Sequence, residues 1–261
     1  MSDSIAFDRA ADFYDETRAF PPGEEGFAAA ALARAGGLTG QQRVLEFGVG
    51  TGRIALPLLP YVRQIVGLDL ARPMMARLRA KDASGRIALA EGDATRMPFA
   101  PASFDAVLSV HVLHLIPNWQ AAVGEVARVL KPGAPYIHAW TDNFHRPGWW
   151  NAWNEATPRR NAQGVGVKFY EHHNFLDGLG WRPAGDEVVY TYTYQRSPRV
   201  FLDQLSRRVW SSTWAISDED TATGVAAVRE AMLREHGDLD TPIEHTSGFY
   251  ARAYLPDNKQ D

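Results

Sequence analysis

Two rhythms of apolar and polar positions run along the chain. Phe7, Ala10, Ala11, Tyr14 and Arg18 fall at helical spacing, and Pro21-Pro22 ends that stretch. A second helix is expected from Glu24 to Ala35, with acids in its first turn, Arg34 in its last and Gly36-Gly37 as a stop. From Arg43 onward short apolar runs alternate with amphipathic segments, the pattern of a parallel sheet with crossover helices. The runs predict strands at Arg43–Phe47, Ile65–Asp69, Ile87–Ala90, Phe104–Ser109 and Ala134–Trp140. A helix from about Asn118 to Leu130 is closed by Pro132-Gly133. Past Trp140 the rhythm breaks into an aromatic, helix-prone insertion from Phe144 to Asp177. Two more strands, Glu187–Tyr194 and Thr246–Ala253, flank helices near Pro198–Trp210 and Asp218–His236. The expected fold is a doubly wound α/β architecture, with a mostly parallel sheet of seven strands, helices ahead of it, and a helical insertion after the fifth strand.

Composition narrows the picture little but usefully. With 45% hydrophobic and 22% charged residues in 261, an ordinary single core can form. A net charge of -4 offers no long-range attraction to phosphate backbones, so no nucleic-acid partner is expected and small molecules move forward. The absence of cysteine removes disulfides, thiolate zinc sites and cysteine nucleophiles. Met1 to Phe20 carries neither a basic n-region nor an apolar h-region, and no run of ~18 apolar residues occurs, so a cytoplasmic location without membrane insertion is expected.

The segment Val44-Leu45-Glu46-Phe47-Gly48-Val49-Gly50-Thr51-Gly52-Arg53 sets three glycines directly after a strand and before a helix. A sharp turn whose backbone must approach a ligand has no room for a Cβ. Asp69 closes the next strand, near the ~20-residue offset at which an acid accepts hydrogen bonds from a ribose diol. Together these features describe an adenosine site. Gly48, Gly50 and Gly52 form G-x-G-x-G, whereas the dinucleotide fingerprint needs its last glycine at the position held by Arg53. With no pyrophosphate to cradle, the loop suits a nucleoside carrying an amino acid.

On these residues the chain resembles the class I S-adenosylmethionine-dependent methyltransferases, and among them the ubiquinone/menaquinone-type small-molecule enzymes. Leu45-Glu46-Phe47-Gly48-Val49-Gly50-Thr51-Gly52 looks like the family's first motif, and Val66-Gly67-Leu68-Asp69 its ribose-binding strand end. Glu91-Gly92-Asp93-Ala94 resembles the turn whose acid meets the adenine amino group. Phe104-Asp105-Ala106-Val107 looks like the fourth strand, and Arg128-Val129-Leu130-Lys131-Pro132-Gly133 leads into the fifth. The resemblance implies a Rossmann-like methyltransferase fold and S-adenosylmethionine as cofactor. It places Asp69 on the ribose, Asp93 on the adenine amine and the Ala94 N–H on an adenine ring nitrogen. Glu46 either orders the glycine loop or meets the cofactor's ammonium group. One domain over residues 1–261 is expected, as an N-terminal helical cap (1–40), a cofactor-binding core (43–140), a substrate-side insertion (141–185), and C-terminal strands and helices (186–261).

Methyl transfer from a sulfonium is an in-line displacement with an activated leaving group, so the enzyme mainly aligns donor and acceptor and excludes water. Acceptors such as phenols or alcohols also benefit from a base. Val110, His111 and His114 fall over the carboxyl ends of the strands, where ligands of such sheets bind. His111 is the candidate base, with a packing or cofactor-wall role as the other reading. His138 reads as a satisfied core histidine. His172-His173 reads as a solvated helix start, since adjacent helical residues point ~100° apart and no carboxylate stands at ligand spacing; no metal is expected.

Tyr14 and Arg18, one turn apart, either fold over the cofactor and meet its carboxylate or pack on the surface. Trp149, Trp150 and Trp153 either wall an apolar acceptor pocket or fasten the insertion to the sheet. Ser109-Val110-His111-Val112 stands where an amine-methylating enzyme of bases or glutamine carries Asn/Asp-Pro-Pro-aromatic, which argues against that subclass. The expected function is transfer of a methyl group to a small-molecule acceptor of unspecified identity, by a monomer or homodimer. A nicotinamide-dependent oxidoreductase and a non-catalytic S-adenosylmethionine-binding protein remain as alternatives.

Overall fold

A computed structural model describes residues 7–21, 23–143, 148–157, 166–168 and 171–257; the aromatic pair Phe169-Tyr170 of the insertion lies outside them. Contacts divide the chain into two compact units, one of residues 1–141, 165–190 and 249–261, the other of residues 142–164 and 191–248.

The first unit is built on strands β1 (Arg43–Phe47), β2 (Gln64–Asp69), β3 (Ile87–Glu91), β4 (Ala106–Val110) and β5 (Tyr136–Asn143). β2 and β4 pair in parallel on either side of β1, β3 adds to β2, and β5 to β4. Val44, Leu45, Phe47, Val107 and Leu108 are all fully buried, as near-continuous apolar runs must be when a parallel strand is covered on both faces. Leu45, Phe47, Val66, Leu68 and Val107 share one core cluster with Ala122, Val123, Val126 and Val129, the apolar stripe of the helix Trp119–Val129. Asn118 stands at that helix's N-cap position but makes no side-chain cap bond.

The doubly wound, mostly parallel sheet is present, with eight strands among the described residues in place of the seven expected; with β6 (Trp181–Pro183), β7 (Val188–Arg196) and β8 (Ile243–Pro256) its order is β3-β2-β1-β4-β5-β8-β6, β7 pairing with β8 off this path. The addition is β6, too short for any period-two pattern to reveal, and antiparallel to β8. At the other end, the helical face expected over Phe7 to Arg18 is broken into a 3-10 turn, Asp8–Ala10, and a short helix α1, Tyr14–Arg18. Five residues cannot sustain a helix alone; packing holds this segment, with Ala11 against Ala71 and Met74.

The second unit's described helices are Trp149–Ala156, Pro198–Ser206 and Asp218–His236. Their apolar stripes close a core of Trp149, Trp153, Leu202, Leu205, Val228 and Met232. Gly224 belongs to the longest helix because a Cβ there would stand 2.4 Å from the Trp153 ring.

A polar chain crosses the first unit's core. The Tyr136 hydroxyl and Ser109 Oγ lie 2.7 Å apart, Ser109 Oγ is 3.2 Å from His138 Nδ1, and His138 Nε2 is 2.9 Å from His172 Nδ1. All four side chains are buried. Tyr136 has no other hydrogen-bond partner among the described residues, so its proton must go to Ser109; the reverse arrangement would strand a buried donor at a cost of about 1–3 kcal/mol. Donation therefore runs from Tyr136 to Ser109 to His138 Nδ1, and from His138 Nε2–H to His172 Nδ1. The rings of His138, Trp140 and His172 stack on one another, with centroids 5.1–5.6 Å apart. The solvated helix start expected at His172-His173 thus fails at His172, which long-range packing takes into the core.

Burial, with His114 and His173 adding, pushes the His172 imidazole from 6.5 down to about 4, and burial also holds His138 well below its usual range. Both stay neutral in the fold while the unfolded chain binds protons near pH 6.5, so stability is full above that pH and falls as the pH drops toward about 4. The His172 contribution to this loss is about 2–4 kcal/mol. Melting temperatures measured from pH 7.5 to 4.5 should fall steeply for the wild type and less steeply for His172→Asn; parallel slopes would show that the chain does not govern acid stability.

Candidate functional site

The glycine turn leaves β1 and folds back at once onto β2. Gly48 N–H and Val49 N–H both donate to Leu68 O, at 2.7 and 3.2 Å. Gly50 N–H donates to Asp69 Oδ2 and Ala71 N–H to Asp69 Oδ1, each at 2.8 Å. Asp69 therefore ties the turn to the start of the next helix, Arg72–Lys81, before any ligand is considered. Burial pushes its carboxyl above the usual carboxylate range, against the opposing pull of the Ala71 and Gly50 N–H donors. Gly48 has φ +73°, and a Cβ there would stand 2.6 Å from Val112 Cγ2. The turn thus needs glycine both for its conformation and for the close approach of the loop after β4.

Tyr14, Gly48, Gly50, Asp69, Asp93, Ala94, Val110 and His111 line one pocket, which encloses about 670 Å³ with its open mouth included. Asp93 Oδ1 accepts from Thr95 N–H and Thr95 Oγ1, which fixes the carboxylate at the head of a 3-10 turn, Ala94–Arg96. Gly52 stands behind the pocket, where a Cβ would collide with Leu78 at 2.2 Å.

Glu46 lies in the middle of β1, 2% exposed, and its Oε2 is buried without a hydrogen-bond partner. Burial pushes its carboxyl well above the usual carboxylate range, with the Arg53 cation opposing the rise and Asp69 adding to it.

The N-terminal segment is latched to this turn. Thr51, fully buried, donates from Oγ1 to Asp15, whose other oxygen accepts from Lys81 Nζ at 2.9 Å. Arg53 donates to Arg18 O at 3.1 Å and lies over the Phe20 ring. Tyr14 reaches the pocket; Arg18 is outside the lining, though its charge bears on both His111 and His114.

His111 is partly buried and lines the pocket with φ +54°, a left-handed conformation rare for a residue with a side chain. Its Nε2 lies 2.8 Å from Thr141 Oγ1. Burial first, then the Arg53 guanidinium, His114, His172 and Arg18, push the imidazole well below 6.5, so it is neutral at pH 7. His114 is pushed down to about 4 by burial and Arg18.

Residues lining the pocket all belong to the first unit, whereas Trp149, Trp150 and Trp153 belong to the second, with Trp149 and Trp153 at 5% and 4% exposure in its core. Sequence reasoning missed Phe7, Leu70, Met74, Val112, Leu115 and Ile116 as pocket walls. Phe7 fell on the same helical face as Tyr14 and Leu70 directly follows Asp69, which are the only signals apolar residues could have offered.

Residues 45–137 match a family described as a methyltransferase domain. Relatives of the chain include YcgJ of Bacillus subtilis, an uncharacterized methyltransferase 27% identical over 140 residues, covering 52% of this chain and 54% of that protein. Demethylmenaquinone methyltransferase of Porphyromonas gingivalis is 35% identical over 101 residues, covering 36% of this chain and 41% of its own length. The chain thus spans about half the length of the first of these relatives and less of the second.

Among solved structures, a phosphoethanolamine N-methyltransferase of Haemonchus contortus, complexed with S-adenosylhomocysteine, shares the fold. It has a TM-score of 0.53 and 23% identity, over 94% of this chain and 57% of that one. No described helix is long and apolar enough to cross a membrane, and no group of three His, Asp or Glu among the described residues is placed to hold a metal.

Gly48→Ala should destabilise the domain by about 2–5 kcal/mol, the sum of a strained left-handed residue and an overpacked contact. Adding Val112→Ala should recover the steric part alone, about 1–3 kcal/mol. Urea denaturation of both variants checks this; full recovery or none would show that one of the two costs is absent.

Proposed function

We propose that the protein binds S-adenosylmethionine in this pocket and transfers its methyl group to a small molecule. The observation that carries the reading is convergence: a glycine turn, a strand-end acid at Asp69, a second acid at Asp93 and an imidazole at His111 line one pocket. The family of residues 45–137 and the S-adenosylhomocysteine bound by the Haemonchus contortus relative support it.

The residues present fit such a cofactor. Glu46 Oε2 is a buried acceptor lacking a partner, suited to an ammonium group or to the loop N–H groups that would hold one. Asp69 already accepts two backbone N–H groups, one on each oxygen, and the roughly four lone-pair sites of a carboxylate leave others for a ribose diol. Asp93 brings a second carboxylate to the pocket wall for an exocyclic amine. Phe7 and Tyr14 supply apolar cover, and Leu70, Met74, Leu115 and Ile116 supply walls for a flat base.

When bound, S-adenosylmethionine supplies an electrophilic methyl group whose carbon–sulfur bond breaks with both electrons going to sulfur. The chain's own work is then alignment and exclusion of water. His111, neutral and facing the pocket from the end of β4, is placed to take the proton of a hydroxyl or amine acceptor. Burial first, with Arg53 and Arg18 adding, keeps it unprotonated at pH 7, and the same positive field lowers the pKa of an acidic acceptor brought beside it.

Calorimetry should show S-adenosylmethionine and S-adenosylhomocysteine both binding, and Asp69→Ala weakening them by about 10- to 100-fold through loss of hydrogen bonds to a charged acceptor. No binding of either ligand, or unaltered binding by the variant, removes the cofactor assignment. Radiolabelled methyl transfer to a metabolite pool tests turnover. With an acceptor found in that pool, His111→Ala should lower turnover by ~10²–10⁴-fold and leave cofactor affinity intact. Normal turnover in the variant assigns His111 to the pocket wall.

A further inference from the structure

The imidazole of His111 is held from a neighbouring strand. Its backbone N–H donates to Ala139 O at 3.4 Å, continuing the β4–β5 ladder one residue past Val110, and its Nε2 lies 2.8 Å from the Thr141 hydroxyl, two residues farther along β5. The left-handed backbone at His111 turns the chain out of the strand. A strained conformation persists only where its surroundings determine it, and here β5 supplies both restraints. With Nε2 engaged by Thr141, Nδ1 is the nitrogen left for chemistry.

We infer that Thr141 is the positioning residue for His111: it accepts a hydrogen bond from Nε2–H and so leaves the Nδ1 lone pair to take the acceptor's proton. The inference rests on the methyl-transfer reading above. A threonine hydroxyl both donates and accepts, so it can face either tautomer. Only the Nε2–H tautomer leaves a basic nitrogen opposite. In that arrangement Thr141 keeps the same part throughout the step. The acceptor's lone pair forms the bond to the methyl carbon, the carbon–sulfur electron pair goes to sulfur, and the acceptor's proton passes to Nδ1. The resulting imidazolium still donates from Nε2–H to Thr141. A hydroxyl here does the orienting that a buried carboxylate does in a serine-protease triad, without adding a negative charge.

Three proteins test this: wild type, Thr141→Val, which keeps the shape and removes the hydroxyl, and Thr141→Ser, which keeps the hydroxyl. Imidazole nitrogen NMR of isotope-labelled protein, with and without S-adenosylhomocysteine, should show His111 as the Nε2–H tautomer in wild type and Thr141→Ser, and as a mixture in Thr141→Val. Turnover with an acceptor found by the radiolabel screen should fall about 10- to 100-fold in kcat for Thr141→Val, with acceptor KM and S-adenosylhomocysteine affinity little changed, and recover in Thr141→Ser. An Nδ1–H tautomer in the wild type, or a Thr141→Val protein with unchanged tautomer and kcat, overturns the assignment. A wild type that shows the Nε2–H tautomer and binds the cofactor but methylates nothing in the screen counts against the methyl-transfer reading instead, so the two failures are distinguishable. Should Thr141→Val fail to fold, the wild-type tautomer and the Thr141→Ser kinetics decide the matter.

Discussion

Everything at this site hangs on one carboxylate receiving two backbone N–H groups. Asp69 ends β2, and through the donors of Gly50 and Ala71 it holds the turn that leaves β1 and the helix that follows β2 in a single register. If that carboxylate were lost, Gly50 would have no fixed direction, and the pocket floor between Gly48 and Met74 would lose its shape. The charge is kept in a buried place because the donors are backbone groups, which cannot move away and need no counter-ion. Val112 then settles into the space where Gly48 has no Cβ, bringing the loop after β4 onto the same turn.

Charge is distributed unevenly over the first unit. Acids stand on the side of the glycine turn and the strand ends, at Glu46, Asp69 and Asp93, while Arg18, Arg53 and the imidazoles of His111, His114 and His172 influence one another around the end of β4. Burial above all keeps the imidazoles neutral, with the arginines adding at His111 and His114, and the neutral imidazoles form directed hydrogen bonds in place of repelling each other. The buried chain from Tyr136 to His172 shows the same economy, since the unshared proton at one end fixes the tautomer at the other.

Strands β1 to β5 were legible within about three residues because they are short apolar runs whose boundaries are marked by Gly, Pro and acids. Chemistry-bearing residues at strand ends were legible for the same reason: Asp69, Asp93 and His111 each follow a run that announces itself. What stayed hidden depended on partners remote in the chain. The break between Ala10 and Tyr14 is set by packing on Ala71 and Met74, and β6 exists only because β8 offers it an edge. Burial of His172 needs Trp140 and His138, which sit over thirty positions earlier and carry no periodic signal to it. Thr141 looked like one more residue beyond a strand end, since nothing local distinguishes a threonine that reaches back to His111.

The latch of the N-terminal segment makes one wall of the pocket sensitive to salt. Phe7 and Tyr14 both lie on that wall. The segment's ties include Asp15 to Thr51 and Lys81, Asp12 to Arg77, and Arg53 to the Arg18 carbonyl. The ion pairs among them are half-exposed, worth at most about 1 kcal/mol each and weakened by salt. The Thr51 hydroxyl bond, by contrast, is made by a fully buried residue. Raised ionic strength therefore loosens the hold on one wall of the pocket while every residue that lines it stays the same.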